Sequence, residues 1–334
     1  MAVKVKNFSS EVQFGKPQKK GSLTIYPIFA PGSRDQQESG SKPPDYLLLE
    51  EVLGLSTFEI GEVNEAGDVN TVIISNMTDH PVLILDGEEI TGAKQNRMVN
   101  ATILVAAGRK TAVPVSCVEQ GRWRYDTDKF QQSDTFGYST LRRQKAEQVQ
   151  NNLRQKQGFA ADQGAIWSEI EKCDSALHTG SPTAALSDTY RSRASELEDM
   201  IKDLNHQPNQ IGIAVYIKNR FTCLDLFSDS ETLAKLWTRL LKSYAVEALT
   251  ARGRSIKEPR PTPASLREKI GQSEYLTYSS VSIGHDLRLT GTDIVGAGLL
   301  VDETIIHLSV FPREAEESAP GDINTPRRRR RNIY

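Results

Sequence analysis

Cysteine is scarce in this chain. The three residues Cys117, Cys173 and Cys223 are odd in number and far apart, which excludes a disulfide framework and any CxxC pair. No run approaches the ~20 apolar residues that span a bilayer, and the lysines of the first 20 positions are not followed by the apolar stretch of a signal peptide. An excess of one charge is also lacking. With 41 Lys and Arg against 43 Asp and Glu, the formal net charge is -2, so attraction to nucleic acid or an anionic membrane would need a local patch. The five histidines, His80, His178, His206, His285 and His307, show no HxH, HxxxH or HExxH spacing, which speaks against zinc. There is no phosphate loop or nucleophile elbow. Gly296 and Gly298 give a GxG inside a strand pattern, without the rest of a dinucleotide fingerprint or its helix. No cofactor is therefore expected, no membrane or nucleic-acid partner is expected, and the location is expected to be cytoplasmic.

What is present reads as an α+β protein. Its 334 residues suggest two lobes or one elaborated domain. The expected organisation is an extension over 1–22, a β-rich lobe with hairpins over 23–125, a helical segment over 126–208, an α+β segment over 209–312 and a flexible tail over 313–334 that carries arginines at 327–331. The first strand is expected at 23–29, followed by a mobile polar loop over 30–41 and a short buried helix in YLLLEEVLGL that stops near Gly54. Strand-like runs follow at 58–63, 70–75, 81–85 and 88–91, with Asp86 and Gly87 suited to a tight hairpin between the last two. A second hairpin is expected where 102–105 returns as 111–118 around Gly108.

Residues 141–157 predict a helix with a thin apolar stripe (Leu141, Val149, Leu153) ringed by Arg142, Arg143, Lys145, Arg154 and Lys156, hence a largely solvated one. A second helix should end near His178. A third should start with Ser181 as N-cap and Pro182 at its first position. Residues 211–217 and 221–227 form a hairpin around 218–220, and Ser228 with Glu231 makes a capping box. The helix that follows has Leu233, Leu236, Trp237, Leu240, Leu241 and Tyr244 at three- and four-residue spacing, with Gly253 placed to end it. A proline-rich connector (Pro259, Pro261, Pro263) then leads to strands at 275–283 and 295–311.

Chemistry-bearing residues concentrate between Leu85 and Trp123. Lys94 and Arg97 offer cationic donors, while Gln95 and Asn96 offer donors and acceptors, beside the glycine hinge Gly92. This group suits a phosphate, carboxylate or sugar; it equally suits a loop tied to neighbouring backbone. Glu88 and Glu89 fall on opposite faces of a short strand, and Glu88 is the preferred acid or base, against a solvated edge strand or a structural ion pair with Lys94 or Arg97. Cys117 shares a face with Val113 and Val115, which favours a buried inert thiol over a nucleophile. Glu119 is a further acid or base candidate. Glu119, Arg122 and Trp123 would serve either as a stacking and ion-pairing platform or as a pair that caps the sheet.

The strings GEEITGAKQNR and VPVSCVEQGRW, with the later QIGIAVYIKNRFTCLDLF and KLWTRLLKSYAVEAL, resemble the ARG and rhodanese-phosphatase-superfamily-associated protein domain family from about Leu23 to Phe311. The resemblance implies a mostly prokaryotic family linked by genomic association to ADP-ribosylglycohydrolases and to rhodanese- or phosphatase-like proteins. It places the motif on Gly87, Glu88, Gly92, Lys94, Gln95, Asn96, Arg97, Cys117, Glu119, Gly121, Arg122 and Trp123. Two expectations of function follow, with a third beside them. The first is a ligand-binding or sensory module in which Lys94, Arg97 and Arg122 engage a small anionic or ribosyl ligand that Gln95 and Asn96 orient. The second is a hydrolase or transferase on a nucleotide or ADP-ribosyl substrate, with Glu88 or Glu119 as acid or base and Cys117 as a lesser candidate. The third is a structural scaffold for a protein partner.

Overall fold

In the computed structural model residues 12–31, 45–65 and 67–313 are described; the polar loop beyond Pro31 and the tail beyond Arg313 lie outside them. Eighteen strands in three sheets and seven helices among these residues make an α+β protein. The largest sheet is antiparallel. From one edge it runs Gln13–Phe14, Leu23–Phe29, Gln210–Ile217, Arg220–Phe227, Thr304–Pro312, Ile294–Val301, His285–Thr290 and Glu274–Ser279, with Gln18–Lys20 beside Leu23–Phe29. The strand at 23–29, assigned by sequence to the first lobe, thus belongs to a sheet whose other strands come mostly from residues 210–312. Its neighbour forms the expected hairpin, turned by Lys218 and Asn219 at φ 52° and 63°.

A six-stranded sheet runs Phe130–Phe136, Glu88–Gly92, Arg97–Val99, Arg109–Cys117, Thr71–Asn76 and Phe58–Glu62, and a three-stranded one runs Ile103–Val105, Val82–Ile84 and Leu47–Leu48. Neither hairpin expected here forms. Gly87 does adopt positive φ, at 97°, but the turn carries the chain from one sheet to another. Likewise Ile103–Val105 pairs with Val82–Ile84, while Arg109–Cys117 pairs with Thr71–Asn76. The local turn chemistry is right; strand partners are set by which faces can be buried together.

The helices are α1 (Leu49–Val52), α2 (Ser139–Arg154), α3 (Gln163–Leu177), α4 (Leu186–Ser192), α5 (Ala194–Ile201), α6 (Ser230–Thr250) and α7 (Pro263–Gln272). Asp229 caps α6 by accepting from the Thr232 N–H, one residue after the expected Ser228. Ser181 starts a turn and not a helix: its hydroxyl accepts from the Ala185 N–H and donates to Asp188. The proline connector hides α7, with Thr262 as N-cap and Pro263 at the first position.

The largest departure from expectation is α2. It packs against strands Ile294–Val301, Arg220–Phe227 and Thr304–Pro312, and Arg142 and Lys145 are wholly enclosed. Arg142 donates two hydrogen bonds to Asp225 (3.0 and 2.6 Å) and one to Ser309 (2.6 Å), and its guanidinium lies 5.1 Å from the Phe136 ring centroid and 5.3 Å from that of Phe311. Tyr244 of α6 donates to Asp225 at 2.5 Å, and His307 contacts Asp225 through Nε2 and Thr102 through Nδ1. Lys145 pairs with Asp86 and donates to the Val99 carbonyl; Arg288 forks onto Asp286. Burial pulls the Lys145 ammonium below its ordinary range against the pull of Asp86. The charges therefore sit at the seam between sheets, where an apolar stripe on α2 would be expected.

Candidate functional site

Two stretches around Glu89 build a cleft of about 330 Å³. Strand Phe130–Phe136 pairs with Glu88–Gly92 so that Gln132 opposes Ile90 and Phe136 opposes Glu88. Residues Ser133, Asp134 and Thr135 therefore bulge out opposite the single residue Glu89. Such bulges bend a strand and re-aim its side chains. Helix α4 covers the bulge with Ser187, Tyr190 and Arg191, and α6 adds Lys242.

Glu89 lies behind the wall residue Ser133, with no exposed surface and outside the cleft lining itself. Its Oε2 accepts from the Ser133 hydroxyl at 2.7 Å, and Ser133 in turn accepts from the Thr135 N–H. Among the described residues its Oε1 has no hydrogen-bond partner of normal geometry. Burial pushes the Glu89 carboxyl up to about 7, opposed by Ser133, Thr135 and Asn96 and aided by the charge of Glu119. This is the carboxyl that sequence reasoning passed over in favour of its neighbour.

Glu119 behaves in the opposite way. Burial alone would raise it, but the Arg122 hydrogen bond, the Asn96 backbone N–H and the Thr183 hydroxyl hold its carboxyl below the ordinary range. Asn96 joins the two acids to the cleft wall: its Nδ2 donates to Ser187 at 3.3 Å and its Oδ1 accepts from the Gly92 N–H and from Arg122. Two carboxyls driven apart in this manner are the usual arrangement of an acid and a base at one site.

The other expected site residues have these places. Arg122 spends its donors on Glu119, Asn96 and the carbonyls of Gly92, Ala93 and Arg124, which closes the 92–97 loop. Gln95 donates to the Glu119 carbonyl and accepts from Arg97, and Arg97 is enclosed beside Glu62. Lys94 donates to the Glu65 carbonyl and lies over the rings of Trp123 and Tyr125, both about half exposed. Glu88 accepts from the Leu85 N–H and pairs with Arg239 at 2.7 Å, which fixes the sheet-switching turn to α6. Cys117 is buried, its backbone is clamped by Gln163 through two hydrogen bonds, and burial pushes its thiol up to about 11. At that value almost no thiolate exists near neutral pH. None of these residues lines the cleft itself: Asn96 reaches its wall through Ser187, Glu119 lies one hydrogen bond behind Asn96, and Glu88, Arg97 and Cys117 are enclosed elsewhere.

Gly92 is the hinge of this loop. It sits at φ 104°, and a Cβ there would lie 2.3 Å from the Thr127 hydroxyl oxygen, which itself holds the Ala93 N–H. Gly92→Ala is expected to cost roughly 1–3 kcal/mol through backbone strain and the clash, read as a lower urea midpoint with an unchanged slope.

The fold and site define an α+β protein with two buried carboxyls shifted in opposite directions behind the wall of a polar cleft. The chain matches the ARG and Rhodanese-Phosphatase-superfamily-associated Protein domain over residues 11–311 and belongs to that family. No curated protein and no solved structure matches it.

Proposed function

We propose that the cleft over Glu89 binds a small, hydroxyl-rich anionic ligand of the ribosyl or nucleotide class. The observation that carries this reading is the Glu89 carboxyl, held near 7 and hydrogen-bonded to a cleft-wall hydroxyl, Ser133. The wall offers Thr91, Ser133, Thr135 and Ser187 for ligand hydroxyls and Gln132 for a base edge. Arg191 and Lys242 set two positive charges against Asp134, which favours an anionic group at the rim. The family's association with ADP-ribosylglycohydrolases points to the same class. A carboxyl that titrates near neutral pH couples to any ligand whose binding changes its proton affinity, so binding is expected to depend on pH around 7.

The opposite shifts of Glu89 and Glu119 favour a second reading, hydrolysis or transfer at the ribosyl bond, with Glu89 as acid and Glu119 as base. A thermal-shift panel of ADP-ribose, NAD, nucleotides and sugar phosphates tests the first reading. A ligand at 100 times its dissociation constant adds about 2.7 kcal/mol to stability. Ser133→Ala is expected to weaken that ligand by roughly fivefold to tenfold, the worth of one hydrogen bond. If no compound stabilises the wild type, the binding reading fails; if one binds but is never turned over, the second reading fails.

A further inference from the structure

Among the described residues, the half-strand Arg109 to Ala112 has a strand neighbour on one edge only. Residues Arg109 to Pro114 pair with Thr71–Asn76, whereas on the other side Arg97–Val99 reaches only Val115, Ser116 and Cys117. Beyond that point the chain leaves for another sheet, as Ile103–Val105 pairs with Val82–Ile84. The direction of the orphan backbone groups follows from two bonds. Val115 N–H donates to the Asn70 carbonyl on the paired side, and the Pro114 carbonyl accepts from Asn100 on the opposite side. In an antiparallel strand the two groups of one residue point the same way and alternate along the chain. Lys110 and Ala112 therefore direct their N–H and C=O groups to the open edge. Pro114 fits this parity, since the N–H it lacks would face that edge.

This edge is not flat to solvent. It forms one wall of a cleft of about 800 Å³ whose other wall is Val281, Ser282 and Ile283. That wall is pinned in place: Ile283 N–H donates to the Leu104 carbonyl and the Ser282 hydroxyl accepts from the Ala106 N–H. The floor carries the small side chains Ala106 and Ala107, and Arg109 and Lys110 are exposed at the rim.

We propose that this cleft is a strand-addition site for an extended acidic segment of a partner protein. Lys110 and Ala112 supply the ladder hydrogen bonds, Val281 and Ile283 an apolar wall, and Arg109 and Lys110 the charge complement. A second copy of this chain fits the edge less well, because antiparallel self-pairing about Thr111 sets Arg109 and Lys110 of both copies within one short strand pair with no acidic residue among 109–112 to offset them. The site lies outside the Glu89 cleft and shares no residue with it.

The test is to pan a displayed library of short random peptides against the full chain. Selected peptides are expected to be acidic and rich in β-branched residues, and the best of them should slow hydrogen exchange at the Lys110 and Ala112 amides. Ala112→Pro removes one outward donor and Lys110→Glu reverses the charge; each should weaken that peptide roughly tenfold. Should Ala112→Pro lower the melting temperature, Lys110→Glu decides, since its side chain is exposed. Absence of acidic sequences among the selected peptides overturns the proposal, as does binding that leaves both amides unprotected. A concentration-dependent dimer abolished by Lys110→Glu also overturns it, because the occupant is then a second copy.

Discussion

Glu89→Gln is expected to make the protein more stable at pH 8, by about 3 kcal/mol, and to leave it unchanged at pH 4. The buried carboxyl is raised from an ordinary 4.5 to about 7. A group whose folded value is raised takes up a proton on folding, so its contribution is intact below 4.5 and is lost as pH climbs through about 7. The rise from 4.5 to about 7, at about 1.36 kcal/mol for each tenfold change in proton affinity, sets the size of the loss, and no solvent screening reduces it because Glu89 has no exposed surface. The amide keeps the shape of the protonated acid, and the Ser133 hydroxyl can turn to accept from it. Urea unfolding at the two pH values measures the effect. A variant less stable than wild type at pH 8 would show that Glu89 is held ionised, and the acid role would go with it. A stability gain coupled to loss of ligand binding or turnover is the behaviour expected where a residue is kept for function against folding.

The placement of this residue shows what a sequence can and cannot reveal. Alternation put Glu88 and Glu89 on opposite faces of their strand, and that is how they lie: one faces Arg239, the other Ser133. Which face meets a cleft depends on Ser133, 44 residues further on, and on a bulge that no local signal announces. The clustering of Gln95, Asn96, Glu119 and Arg122 was legible because so many amides and charges in one stretch need partners, and the structure shows them as partners of one another. Arg122 is held by Glu119, Asn96 and three carbonyls, whereas enclosed Arg97 bonds Gln95 through Nη1 and, among the described residues, has no hydrogen-bond partner for Nε or Nη2. The α6 stripe was read correctly because its apolar residues meet an apolar surface. The same logic failed for α2, whose enclosed cations meet Asp86 and Asp225 from distant strands. A count of apolar positions cannot register an interior that is charged.

That charged interior holds the second large expected effect. Arg142→Met keeps much of the apolar stem but leaves Asp225 enclosed with only Tyr244, Ser309 and His307 around it. Removing one partner of a buried pair costs about 3–5 kcal/mol, because the other charge is stranded. The pH dependence has a definite sign. Burial alone would raise the Asp225 carboxyl, but Arg142 and His307 hold it far below its ordinary 3.8. The pair's contribution is therefore complete above 3.8 and is lost only as pH falls through the depressed folded value. In the variant the stranded carboxyl must stay charged in the interior or take up a proton, so the deficit is largest at neutral pH and shrinks toward pH 4. Adding Asp225→Leu to Arg142→Met should recover part of the loss, the reverse of additivity, since the stranded charge goes with it. The recovery is incomplete because Tyr244 and Ser309 then lose their acceptor. Urea unfolding of the wild type, the single variant and the double variant at pH 7 and at pH 4 reads the loss, its pH dependence and the recovery. A single variant within about 1 kcal/mol of wild type would mean that the seam between the sheets is held by its apolar contacts alone.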